Sequence, residues 1–498
     1  MTPDPHPSTV PVAAASAYEL AADLAEGRAT SVEVTRALLD RIEAIDGPGP
    51  IHLRAVLALA PDALDHAARL DGERAAGKTR GPLHGIPLLV KDNVEAVGLP
   101  GTAGSLALAG RTVACDAPIV GALREAGLVV LGASNLSEWA NMRSPRSTSG
   151  WSGVGGLTGN PWALDRSAGG SSSGSGAALA AGLAPLAIGT ETDGSITCPS
   201  SLNGVVGLKP SVGLLSTQGV VPLSGSQDSP GPMARTVRDA ALLLDALTGS
   251  TAHASAIGAL AVGGLRLGIA SGWLSGHPET DTLFASVLEA LEAADAVLTS
   301  SEVTPVAGVG ADELVVLLGD LKDDLDAYLA ARPGDGVRSL AEVVEFNRAH
   351  ADAELPHFGQ EFLEAALESG GKASERYAEA RARCLAWAVD ETLEPVFDAD
   401  DGPEFLVAPA YAPAWKSDLA AGDHFLGGGL ASAAPSIAGW PVLCLPMGLV
   451  AGLPVGLVLI GRPRSEARLL AAGHAVEQLL GLRDRGALTP TWTPPTRG

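Results

Sequence analysis

Residues 167–211 constrain this chain more than any other stretch. Ser167-Ala-Gly-Gly-Ser-Ser-Ser-Gly-Ser-Gly176 is followed by an apolar run at 186–189, then Thr190-Glu-Thr-Asp-Gly-Ser-Ile196, then Val205-Val-Gly-Leu-Lys-Pro-Ser211. Nowhere else are glycine and serine packed so densely around so few charges. Glycine suits backbone that must approach something closely or adopt positive φ, and serine hydroxyls relay protons or act as nucleophiles. The pattern points to a site built on backbone.

The rest of the chain must support that site. With 498 residues, 46% hydrophobic and 18% charged, the composition is that of a globular protein with a substantial core. A net charge of −24 argues against a phosphate-binding surface, because nucleic-acid affinity rests on clustered Lys and Arg. Cys115, Cys198, Cys384 and Cys444 are widely spaced without a Cys-x-x-Cys pair, so they read as buried thiols in a reducing compartment. Residues 1–16 lack the basic and long apolar parts of a secretory signal and read as a flexible leader. No apolar stretch reaches the roughly 18 to 20 residues that span a bilayer. A cytoplasmic protein without membrane or nucleic-acid partners is expected.

Periodicity predicts helices over 18–26, 62–74, 118–126, 135–142, 174–184, 279–293 and 466–480. Thr30-x-x-Glu33 and Ser339-x-x-Glu342 form capping boxes, and Thr236-x-x-Asp239 caps a helix that runs to 247. Strands are predicted over 53–58, 86–90, 128–131, 186–189, 205–208, 266–270, 297–303, 404–408, 442–445 and 455–460. Residues 143–168 read as a long irregular segment. The alternation of strand and helix defines an α/β fold. Residues 311–400 depart from it and read as a mostly helical insertion covering the sheet. Residues 17–498 are expected to form one domain.

The glycine-rich run fails two nucleotide-binding patterns. No lysine follows Gly174, as a phosphate loop requires, and Leu179 stands where a dinucleotide fingerprint needs its third glycine. Gly170-Ser-Ser-Ser-Gly174 matches Gly-x-Ser-x-Gly, which would make Ser172 a nucleophile at a strand-to-helix elbow. Residues 160–168 read as coil where that elbow needs a strand, however, and no histidine sits in a recognisable partner setting. A second turn, Thr192-Asp193-Gly194-Ser195, follows an apolar strand. Its N–H groups are suited to holding an oxyanion, with Ser195 placed to attack. Lys91, at the end of another strand, offers a base, because burial lowers a lysine pKa and an intermediate serine can relay the proton. No His-Glu-x-x-His or similar ligand cluster is present, and no cofactor is expected.

Gly81-Pro-Leu-His-Gly-Ile-Pro-Leu-Leu-Val-Lys-Asp-Asn93, Gly169-Gly-Ser-Ser-Ser-Gly174 and Gly189-Thr-Glu-Thr-Asp-Gly-Ser-Ile196 together resemble the amidase signature family over nearly the whole chain. That resemblance implies a large mixed β-sheet core flanked by helices on both faces. It also implies Lys91 as base, Ser171 as bridging serine after a cis Gly170–Ser171 peptide, and Ser195 as nucleophile. The N–H groups of Thr192, Asp193, Gly194 and Ser195 would form the oxyanion hole. Ser172 becomes a supporting residue, and Arg143, Asn203 and Asp228 fall at matching motif positions around the site. Trp151, Trp415 and His424 are candidates for lining a substrate pocket.

Leu136-Ser-Glu-Trp-Ala-Asn141, Ser149-Gly-Trp-Ser152, Ser226-Gln-Asp-Ser-Pro-Gly-Pro-Met-Ala-Arg235 and His357-Phe-Gly-Gln-Glu361 resemble the bacterial peptide amidase branch, which removes ammonia from C-terminally amidated peptides. Asp193-Gly194, where many family members have two glycines, is also found in that branch. Ser-Ser-Ser-Gly-Ser-Gly departs from the more common Ser-Ser-Gly-Gly. The expected activity is hydrolysis of peptide or amino acid amides by a monomer or homodimer. The alternatives are a broad amidase, anilidase or carbamate hydrolase, a glutaminase component of an amidotransferase, and a non-enzymatic binding protein.

Overall fold

A computed structural model describes residues 11–49, 52–111, 113–304, 308–483, 486 and 488. Its centre is one mixed sheet of eleven strands. In chain order these are β1 (Val56–Leu59), β2 (Pro87–Lys91), β3 (Val129–Ser134), β4 (Leu186–Glu191), β5 (Val206–Lys209), β6 (Ser229–Ala234), β7 (Arg266–Ala270), β8 (Val297–Ser301), β9 (Phe405–Pro409), β10 (Val442–Val450) and β11 (Leu453–Ile460). The spatial order is β1-β3-β2-β4-β6-β5-β10-β11-β9-β7-β8.

β2 lies parallel between β3 and β4, with Leu88 opposite Val130 and Val90 opposite Ile188. All three strands are buried along their length, which explains their near-continuous apolar sequences. From β4 through β6, β5, β10, β11 and β9 the neighbours run antiparallel, and β9, β7 and β8 are parallel again. Because β2 and β4 point the same way, Lys91 and Glu191 emerge at the same end of adjacent strands. The site is assembled at that end.

Local signals account for many boundaries. Thr30 and Glu33 form the expected reciprocal box at the start of Ser31–Ile45, and Ser16 with Glu19 forms a second one ahead of Ala17–Ala25. Thr236 accepts the Asp239 N–H at 3.1 Å. The Asp239 carboxylate turns away to take the N–H groups of Ala17 and Tyr18, tying two helices together. The first ten residues of the expected leader lie outside the described residues.

Five expectations are corrected. Residues 135–142 do not form a regular helix: Trp139, Ala140 and Asn141 have φ of 50°, 53° and 75°, and the Trp139 N–H donates to Ala103 outside the segment. Residues 163–167, expected as coil, form a strand paired with Gly159–Asn160. Ser173–Ala180 ends four residues before the expected 184, its Ala181 cap followed by Gly182 at φ 69°. β6 was not anticipated, because Pro230 and Pro232 cannot donate to a ladder. They are tolerated because pairing with β5 involves only Met233 and Ala234. Of the cysteines, Cys115 is exposed and the other three are buried thiols.

The helices Val309–Ala331, Leu340–Ala349, Glu361–Glu368 and Glu375–Leu385 occupy much of the expected insertion. Leu321, Leu325, Leu329, Leu340, Val343 and Leu363 pack there against Ala103, Trp139 and Met142, which precede the glycine-rich run in sequence.

Ser173–Ala180 is a helix despite two glycines, and those glycines are what let it sit where it does. A Cβ on Gly174 would lie 2.3 Å from the Ala55 carbonyl oxygen and 2.5 Å from the Asn135 nitrogen; one on Gly176 would lie 3.0 Å from the Pro199 carbonyl oxygen. Backbone cannot yield as a side chain does. Gly174→Ala is therefore expected to lower stability by about 2–3 kcal/mol, read from urea unfolding.

Candidate active site

Lys91 ends β2 fully buried, and three short contacts hold its amine. Lys91 Nζ donates to Ser171 Oγ at 2.7 Å, to Thr190 Oγ1 at 2.8 Å and to the Thr190 carbonyl at 3.2 Å. Asn93 Nδ2 donates to the same Thr190 hydroxyl at 3.0 Å. Burial pushes the Lys91 amine down from 10.5 to about 7, against the opposing pull of the Asp228 and Glu191 carboxylates. Near neutral pH it can therefore both hold and release a proton.

Ser171 follows a cis Gly170–Ser171 peptide, the geometry implied by the family resemblance. Its carbonyl accepts the Ser137 N–H at 3.0 Å. Gly170 is needed for that approach, since a Cβ there would lie 2.3 Å from Ser137 Oγ. The next residue ties this loop to the second turn: the Ser172 N–H donates to the Ser195 carbonyl at 3.1 Å. The Ser172 hydroxyl is fully engaged with β4, donating to the Thr190 carbonyl and accepting the Thr190 N–H. Ser172 is thus a brace between loop and sheet.

The turn 192–195 lies between β4 and the helix Thr197–Asn203. Gly194 takes φ 80°, and a Cβ there would lie 2.5 Å from the Tyr411 hydroxyl. Glu191 Oε2 accepts the N–H groups of Ile196 at 2.6 Å and Thr197 at 2.8 Å. Among the described residues, no hydrogen bond takes up the N–H groups of Asp193, Gly194 or Ser195. Three unpaired donors in a row at a glycine-containing turn are what the binding of an anion by backbone requires.

Asp228 is also part of this assembly. It accepts the Thr192 hydroxyl at 2.6 Å and the N–H groups of Leu223 and Ser224, while burial raises its carboxyl to about 6. Burial likewise raises Asp193 to about 6, with the neighbouring Ser432 hydroxyl opposing that rise.

Arg143 and Asn203 have other work. Arg143 is fully buried, pairs with Glu138 at 3.0 Å, donates to the carbonyls of Glu354, Phe358 and Gly359, and stacks on Trp151 and Phe358. It fastens the helical insertion to the loop after β3. Asn203 Nδ2 joins the Ala168 and Pro199 carbonyls, both at 2.8 Å. Of the proposed pocket residues, Trp415 is buried with its indole N–H on Asp423, Trp151 packs against Arg143, and His424 is largely exposed near Asp418.

Sequence reasoning assigned no role to Thr190, Glu191, Asn93 or Tyr411. Thr190 and Glu191 stand inside a quoted motif, and period-two alternation at the end of β4 places them on opposite faces. The contribution of Tyr411 depends on β9 reaching the turn from more than two hundred residues away. Among the described residues, no group of three or more His, Cys, Asp or Glu side chains is placed to hold a metal ion, and no helix is long and apolar enough to cross a membrane.

Residues 33–470 match the model of the Amidase family, a class of amide-hydrolysing enzymes. The chain belongs to that family and is an amidase. Among solved structures it is similar to the peptide amidase PAM in complex with the competitive inhibitor chymostatin, with 42% identity, TM-score 0.91, and coverage of 97% of this chain and 100% of that one. It is similarly related to the native peptide amidase of Stenotrophomonas maltophilia, with 41% identity, TM-score 0.88, and coverage of 97% and 99%. It is also 34% identical to one component of the glutamyl-tRNA(Gln) amidotransferase of Thermobifida fusca, over 94% of this chain and 96% of that protein.

Proposed function

We propose that this amidase hydrolyses C-terminal peptide amides or amino acid amides to the acid and ammonia through Lys91, Ser171 and Ser195. The observation that carries the reading is the buried Lys91 amine 2.7 Å from Ser171 Oγ, in a loop whose next residue bonds the Ser195 backbone. Neutral Lys91 takes the Ser171 proton as Ser171 takes that of Ser195, and Ser195 Oγ bonds to the carboxamide carbon. The N–H groups of residues 192–195 hold the resulting oxyanion. The relay then returns a proton to the leaving nitrogen, the C–N bond breaks and ammonia departs. Water, deprotonated through the same relay, cleaves the Ser195 ester and restores the enzyme. The unit carrying this chemistry is residues 17–498, with the helices of 311–400 as its cover.

Identity of 41–42% over 97% of the chain with peptide amidase structures favours peptide amides as substrates. The resemblance to an amidotransferase component favours a second reading, glutamine hydrolysis coupled to a partner enzyme. Ammonia release from a panel of peptide amides, free glutamine, aryl amides and anilides separates them. Fast release from peptide amides is expected, whereas release from glutamine alone would overturn the substrate assignment.

Lys91 must be neutral to act as base, and the neutral form disappears as pH falls through its pKa. With that pKa at about 7, kcat/KM is expected to fall about tenfold per unit on the acid side of neutrality. A profile flat from pH 5 to 8 would remove Lys91 from the role.

A further inference from the structure

The segment that follows β9 holds two large apolar side chains in solvent beside the nucleophile turn. Phe425 is 56% exposed and Leu426 47%. Single exposed apolar residues are ordinary, but adjacent ones held against a reactive site call for an occupant.

Two anchors fix this segment against both halves of the catalytic assembly. At one end Asp423 accepts the Ser149 N–H at 3.0 Å, the Ser149 hydroxyl at 2.6 Å and the Trp415 indole N–H at 3.1 Å. Ser149 in turn lies against the loop that bears Ser171, since a Cβ on Gly170 would be 3.2 Å from both Ser149 Cβ and Ser149 Oγ. At the other end Gly428 forms an isolated bridge with Tyr411, and the Gly429 N–H donates to the Ala410 carbonyl at 2.7 Å. The Tyr411 hydroxyl is the group that a Cβ on Gly194 would meet, in the turn that bears Ser195. Phe425, between the anchors, has its ring centroid 4.5 Å from that of Trp415 and 6.2 Å from that of Tyr411. The three rings form an aromatic wall that starts in solvent and ends on the nucleophile turn. It offers no free countercharge to a basic side chain, because Asp423 is engaged as above and Asp418 takes the Ala420 and Ala421 N–H groups and pairs with His424.

We propose that Phe425, backed by Trp415 and Tyr411, determines specificity for the side chain next to the scissile amide and selects peptide amides whose C-terminal residue is aromatic or large and apolar, a preference that rests on the peptide amide reading above. An aromatic side chain laid on Phe425 takes apolar surface of both rings out of water while its carboxamide carbon lies at Ser195 Oγ. A glycine amide has no side chain to place there. The wall therefore discriminates between substrates rather than binding all of them alike.

The test measures ammonia release by full-length wild type, Phe425→Ala and Phe425→Leu from dipeptide amides that differ only in their C-terminal residue, which is glycine, leucine, phenylalanine or arginine. Wild type is expected to show kcat/KM about tenfold or more higher for the phenylalanine amide than for the glycine amide. Phe425→Ala, a change at an exposed side chain, is expected to lower that ratio about tenfold, and Phe425→Leu, still apolar, to lower it less than about threefold. A merely structural role would reduce all the amides together and leave the ratio unchanged. An unchanged ratio in Phe425→Ala, equal losses on every amide, or a wild-type preference for the arginine amide would each overturn the proposal. Failure of the underlying reading is seen separately, as glutamine turnover by wild type with no release from any of the peptide amides, and that result overturns both.

Discussion

Ser195→Ala is expected to lower kcat for a peptide amide by about 10⁴-fold or more while leaving the fold intact. The loss is chemical, because the variant keeps the backbone features that shape the turn. The Ser195 carbonyl still accepts the Ser172 N–H, Gly194 keeps its φ of 80°, and Glu191 still holds Ile196 and Thr197. Donors for the oxyanion remain, so residual activity above the uncatalysed rate is expected. Ser172→Ala provides the contrast. Its hydroxyl braces Thr190, whose own hydroxyl and carbonyl hold Lys91, so the expected result is lower stability, by about 1–2 kcal/mol, with much of the activity kept. Equal losses in both variants would return Ser172 to consideration as nucleophile.

Lys91→Met is expected to reduce activity by about 10³-fold or more and, separately, to flatten the dependence of stability on pH. In the folded protein the Lys91 pKa is about 7, below the ordinary 10.5 of an exposed lysine. Between those values the unfolded chain holds a proton that the folded chain has released, so wild-type stability rises with pH across that window. Below about pH 7 both states are protonated and the full burial penalty is present. Methionine carries no proton in either state. The stability difference, variant minus wild type, should therefore fall by about 2 kcal/mol between pH 7 and pH 9, measured by urea unfolding at both values. Other titrating groups cancel in the difference. A constant difference would mean that Lys91 does not titrate in this range.

Much of this site was legible because its parts are local in sequence. A lysine ending an apolar run, a glycine-serine loop and a Thr-Asp-Gly-Ser turn are each short patterns, and the family resemblance linked them across eighty positions. The strands of the parallel region were legible for a related reason, since burial on both faces leaves unbroken apolar runs. What escaped depended on long-range neighbours. β6 carries two prolines that argue against a central strand, and only the short overlap with β5 makes them harmless. Residues 135–142 have helical composition, yet the chain there turns left-handed because Trp139 bonds to Ala103 and Glu138 bonds to Arg143 and Gly153. Arg143 matched a motif near the site but serves the insertion, because its carbonyl partners, more than two hundred residues later, are invisible to local pattern.

The assignment is tested most directly by locating a covalent adduct. Wild-type enzyme treated with a fluorophosphonate, digested and mapped by mass spectrometry is expected to carry the label on Ser195, with Ser171 and Ser172 unmodified and with labelling sharply slowed in Lys91→Met. A label on Ser172, or labelling of Ser195 at an unchanged rate without Lys91, would contradict the proposed Lys91, Ser171 and Ser195 relay.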